Sequence, residues 1–141
     1  MISLPNPTKP LYTDFSSDND MTTATFSEFC AAADARNTIE LNIRKYCLML
    51  CDSLLMNFNK KGHTREYKFY IEEGRKYHKI IMDANGSRSA HAFVDKKTGE
   101  VYKSASWNKP AKGVRYNLLS IESREECFAR ADWAGGYLYI R

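Results

Sequence analysis

Between residues 67 and 107 the chain alternates and turns so often that an antiparallel sheet is the natural way to accommodate it. Tyr67, Phe69 and Ile71 alternate with Lys68, Tyr70 and Glu72, the pattern of a strand with one buried face. Glu73-Gly74 turns the chain, and Tyr77, Lys79 and Ile81 then alternate with Lys76, His78, Ile80 and Met82. Asn85-Gly86 follows, a two-residue pair suited to a hairpin whose central positions both need positive φ. A third strand is expected over Ser89 to Asp95, a Lys96-Lys97-Thr98-Gly99 turn after it, and a fourth strand over Glu100 to Trp107. Connections this short join antiparallel neighbours.

A sheet with one dry face needs a cover, and the segment before it supplies one. Ile39, Ile43, Tyr46, Cys47, Leu50, Leu54 and Phe58 recur on one side of a helix. Thr25-Phe-Ser-Glu28 reads as a capping box that opens a helix, Arg36-Asn37-Thr38 as an interruption or kink, and Lys60-Lys61-Gly62 as the stop. The long amphipathic helix should cover one sheet face, with Leu50 in the core, and leave the other face to Lys and Arg. Asn108 to Asn117 reads as a loop. Ser123-Arg-Glu-Glu126 reads as a second capping box, opening a short helix that Gly135-Gly136 ends, and Tyr137 to Ile140 as an edge strand. The fold class expected is α+β: a long N-terminal helix on a four-stranded antiparallel meander, with a short C-terminal helix. Residues 1–24, with Pro5, Pro7 and Pro10, read as an extended arm before a single domain over 25–141.

Several function classes find no support in the residues. No apolar run approaches the length of a membrane span, and the N-terminus lacks the basic and apolar regions of a signal peptide. Cys47 and Cys51 share a helix face, but no CxxC pair occurs, so the four cysteines read as reduced core thiols rather than zinc ligands. Among His63, His78 and His91, only His91 has a serine and an acid on its own strand face, Ser89 and Asp95. Strand rise separates Ser89 from His91 by about 7 Å, too far to preorganise a nucleophile. No catalytic residue, cofactor or metal is expected.

Charge points elsewhere. From Lys60 to Arg115 there are 14 Lys or Arg against 6 Asp or Glu, an excess of +8, whereas the whole chain carries +4. The stretch from Arg88 to Asn117 interleaves those cations with aromatic rings, the two ingredients a nucleic-acid site needs: charge for phosphate and π faces for bases. The candidate binding residues are Arg75, Arg88, His91, Lys103, Trp107, Lys109, Lys112, Arg115 and Tyr116. Lys112-Gly113-Val114-Arg115 reads as a phosphate loop, and replacing Lys109, Lys112 and Arg115 together is expected to abolish binding with the fold intact. A solvated lysine face, and core or cross-strand roles for Phe93, Tyr102 and Trp107, are the plainer alternatives.

Gly74-Arg75-Lys76-Tyr77 with Lys79-Ile80, and the stretch HAFVDKKTGEVYKSASWNKPAKGVRYNLL from His91 to Leu119, resemble a family of small uncharacterised bacteriophage proteins, notably from marine phages. Glu100 stands where that family usually has Asp, and Ser104 where Pro is common. The resemblance covers Gly74 to Leu119, about a third of the chain. It implies a viral origin, and a place in the host cell cytoplasm or the virion, but no mechanism. Three roles are therefore expected to compete. The first is a non-enzymatic accessory protein that binds nucleic acid or another polyanion. The second is a virion structural or cement-like protein whose residues 1–24 clasp itself or other subunits. The third is an inhibitor of a host defence protein.

Overall fold

The computed structural model describes residues 25–62 and 66–139. The chain divides into two units between Thr38 and Ile39. The expected arm over 1–24 and His63 lie outside the described residues.

Helix α1 spans Phe26–Lys60. The capping box closes its start: Glu28 N–H donates to Thr25 Oγ1 and Thr25 N–H to Glu28 Oε1, both at 3.1 Å. The expected interruption at Arg36-Asn37-Thr38 does not occur. Thr38 instead folds its hydroxyl back to donate to the Asp34 carbonyl at 2.9 Å, one turn earlier. At the far end Gly62 takes φ 76°, the left-handed stop expected of glycine there.

In the second unit a meander of four antiparallel strands follows α1: β1 (Tyr67–Glu73), β2 (Tyr77–Ala84), β3 (Ser87–Asp95) and β4 (Glu100–Ser106). Asn85 and Gly86 have φ 58° and 94°, so the hairpin turn expected from that pair forms. Asp95 shapes the next turn, its carboxylate accepting from the N–H groups of Lys97 at 2.8 Å and Thr98 at 3.0 Å. The segment expected to be a loop contributes two short strands, β5 (Lys109–Pro110) and β6 (Tyr116–Asn117), which both pair with β4. One irregularity has consequences. Ile80 faces Ala92 but Ile81 faces Ala90, so His91 is the extra residue of a β-bulge.

The core lies between the inner sheet face and α1. Ile43, Cys47, Leu50, Cys51 and Leu54 pack with Ile80, Ala92, Val94 and Val101. The helical stripe read from the sequence is thus the sheet's cover, although Ile39 at its start is exposed. The C-terminal segment closes the rest. Helix α2 (Ile121–Arg130) starts three residues earlier than expected, capped by Ser120 rather than Ser123. Ser123 is drawn away from capping because its hydroxyl accepts from the Asn117 N–H at 2.8 Å. Gly136–Leu138 forms a 3₁₀ turn rather than an edge strand. Its carbonyls are claimed by side chains: Tyr116 Oη donates to the Tyr137 carbonyl at 3.0 Å and Arg115 Nε to that of Leu138 at 2.6 Å. Ile140 lies outside the described residues.

Candidate functional site

The outer sheet face is not the lysine surface expected of it. Register places Tyr70 opposite Ile81, Glu72 opposite Lys79, Lys79 opposite Phe93, and Phe93 opposite Tyr102. Cross-strand partners share a face, so this face carries a row of rings with cations set among them. Phe93 is buried there, with Tyr77 edge-on at 5.8 Å, the cross-strand role open to it from the sequence.

The turn after β4 brings Trp107 over this face. Lys79 Nζ lies 4.0 Å and the Arg88 guanidinium carbon 5.1 Å from the Trp107 ring centroid. Arg88 also lies 5.9 Å from the Tyr70 centroid. Such cation–π contacts hold charge against a low-dielectric surface. Asn108, the next residue, accepts from Lys79 Nζ at 3.0 Å. Lys79 is therefore nearly buried although its ammonium belongs to the outer face.

Glu72 completes the cluster. Its Oε1 is 3.6 Å from Lys79 Nζ and its Oε2 is 3.6 Å from Arg88 Nη2. Both separations exceed hydrogen-bonding length, and the Glu72 side chain is half exposed. Beside this cluster, Gly74, Arg75, Lys76, Tyr77, Phe93 and Asn108 help to line a cleft of about 300 Å³. Arg75 has no ion pair with another described residue.

Of the nine residues expected at the site, the fold brings together Arg88 and Trp107, places Arg75 on the adjoining cleft with Glu72 and Lys79, and leaves Lys109 exposed on β5 two residues beyond Trp107. His91 and Lys103 lie elsewhere, on the wall of a second cavity of about 310 Å³ beside Trp133 and Tyr139. The bulge turns His91 inward. Its Nε2 lies 2.8 Å from Tyr137 Oη, and its ring meets Phe69 edge-on at 5.9 Å. Burial lowers its pKa to about 4, only partly opposed by Asp132. Lys103 Nζ sits 4.7 Å from the Tyr139 ring centroid.

Two expectations need correction. Tyr116 is a core residue, buried, with its ring stacked 6.0 Å from Tyr137. Arg115 is a structural clamp. Besides its bond to Leu138, its Nη1 donates to the carbonyls of Lys112 at 2.9 Å and Gly113 at 2.7 Å. The loop thus turns carbonyl oxygens inward around its own cation, the reverse of a phosphate-binding loop, which presents N–H groups. Gly113 is required here, because it has φ 97° and a Cβ would stand 2.7 Å from Arg115 Nη1. The triple replacement of Lys109, Lys112 and Arg115 would therefore disturb the fold.

Lys79, Glu72, Tyr70 and Asn108, which the cluster contains, were not among the candidates read from the sequence. The alternation in β1 and β2 carried a signal for the first three, since it places all of them on one face. Asn108 carried none.

The model of a family of unknown function, DUF7717, matches residues 26–140. The chain belongs to this family. The match takes in α1, the whole meander, the Trp107 turn and α2, so the family is defined over the outer-face cluster and its supporting core together. No curated protein matches the chain. No solved structure matches it either. Among the described residues no helix is long and apolar enough to cross a membrane.

Proposed function

We propose that the protein is a non-enzymatic bacteriophage accessory protein, acting in the infected cell or the virion, that binds nucleic acid through the outer sheet face. One observation carries the reading: Lys79 and Arg88 converge on a single exposed carboxylate, that of Glu72, above an aromatic surface. Two cations 3.6 Å from one loosely held anion outline an anion position. A phosphate carries acceptors for both cations and can displace Glu72 into water. Arg75 and Lys76 at the cleft and Lys109 beyond Trp107 extend positive charge on either side, as a polyanion needs. The planar Arg88 guanidinium and the neighbouring rings offer faces to unpaired bases.

Glu72 makes the reading testable. Anisotropy of a labelled single-stranded oligonucleotide should show binding that weakens steeply as salt rises. Arg88→Ala should remove most of it, and Glu72→Gln should strengthen it by clearing a competing anion. No binding at low salt would refute the proposal, as would weaker binding by Glu72→Gln. The rival structural role draws on residues 1–24, outside the described residues, and nothing in the fold favours a host-defence target.

A further inference from the structure

Helix α1 has a second apolar stripe that nothing in the second unit covers. Leu41, Leu48, Met49 and Met56 are 66%, 46%, 44% and 70% exposed, in a helix whose other side is the core. Leu41, Lys45, Leu48, Asp52 and Met56 follow one another at offsets of three and four, so they form one face. That face points away from the sheet, because Ile43, Cys47, Leu50 and Leu54 occupy the opposite side. Large apolar side chains gathered on one exposed helix face are the mark of an interaction surface.

The arrangement of the stripe identifies its occupant. Leu41 stands seven residues before Leu48, and Met56 seven after Met49. Lys45 stands three before Leu48, and Asp52 three after Met49. The stripe is therefore symmetric about the Leu48–Met49 bond in both its apolar and its charged positions, with the charges of opposite sign. Laid antiparallel on a copy of itself, Leu48 meets Met49, Leu41 meets Met56, and each Lys45 meets an Asp52. A parallel copy would set Lys45 against Lys45 and Asp52 against Asp52. Among the described residues neither Lys45 nor Asp52 has an ion-pair partner. Self-complementarity of this kind is what a two-fold interface demands.

We propose that the protein forms an antiparallel homodimer through the outward face of α1 over residues 41–56. The dimer axis passes beside Leu48 and Met49. Both outer sheet faces, each with its Glu72 cluster, remain open on opposite sides of the pair.

Sedimentation of the full chain over a range of concentrations tests the pairing, and site-directed crosslinking tests its geometry. The mass should move from 16.2 kDa toward twice that value as concentration rises. Lys45→Glu and Asp52→Lys should each weaken the dimer about tenfold or more, since each turns two attractive pairs repulsive, and the double variant should restore it. In a Cys30→Ser background, Leu48→Cys should form a disulfide-linked dimer on mild oxidation. Met56→Cys should not, because Met56 faces Leu41, roughly 22 Å along the helix from its own counterpart. The doubly substituted Leu41→Cys, Met56→Cys chain should crosslink. Unchanged circular dichroism would show that these exposed changes spare the fold. A chain that stays monomeric at every concentration would overturn the proposal and assign the stripe to another segment or another protein. Self-crosslinking by Met56→Cys would overturn the antiparallel geometry, and a double charge variant no better than the singles would overturn the Lys45–Asp52 pairing.

Discussion

Leu50→Ala tests whether α1 is held by the sheet. Leu50 is 0% exposed and packs in the cluster that joins Cys47 and Leu54 on the helix to Ile80 and Val94 beneath it. The substitution removes three carbons, which at about 0.8 kcal/mol per buried CH₂ costs roughly 2.4 kcal/mol in transfer free energy alone. Collapse into the space is opposed by regular structure on both sides, a four-stranded meander below and a continuous helix above. A residual cavity should therefore raise the total to about 3–4 kcal/mol, within the range for such deletions. For a unit of this size, at about 4 °C per kcal/mol, the melting temperature should fall by roughly 12 °C or more. The assay is thermal unfolding followed by circular dichroism, with Ile121→Ala as the control. Ile121 is 63% exposed, and its truncation should stay within about 0.5 kcal/mol of the parent. A drop of less than about 4 °C for Leu50→Ala would refute the packing argument.

Stability should fall as pH drops from 6.5 toward about 4, because burial lowers the His91 pKa, so the unfolded chain binds the proton first. Burial lowers the pKa of His78 as well, and His91→Gln should flatten only part of the slope in denaturant titrations across that window. Arg115→Ala should lower the melting temperature by releasing the Leu138, Lys112 and Gly113 carbonyls, yet leave oligonucleotide affinity per folded molecule unchanged. Arg75→Glu should do the opposite. Burial raises the thiol pKa of Cys51 and Cys127 to about 12 and that of Cys47 further, so these three should resist a thiol reagent until the chain unfolds. Cys30 should react in the native protein. Elemental analysis should find no stoichiometric zinc, and a full equivalent would redirect attention to Cys47 and Cys51.

What the sequence determined by itself was local. The α+β class, the run of α1, the turn at Asn85-Gly86 and the inward stripe through Leu50 all follow from periodicity and from residues whose backbone preferences act over a few positions. The capping box at Thr25 and Glu28 was legible for the same reason, since both partners lie within one turn. The tertiary structure decided everything that depends on which distant groups meet. Arg115 reads as a phosphate ligand until the Leu138 carbonyl, 23 residues away in the chain, arrives to take its Nε proton. Tyr137 reads as the start of a strand until Tyr116 and Arg115 claim the carbonyls there. His91 and Phe93 lie two residues apart in one strand, yet the added residue at the bulge sends His91 inward to Tyr137 and leaves Phe93 on the outer face beside Tyr77. Alternation places Lys79 on the outer face with Glu72, but its partners come from three separate segments, and nothing local announced Asn108 and Trp107. Hydrogen bonds and ion pairs are satisfied by proximity in space, and only the completed fold fixes which of many chemically similar partners comes near enough.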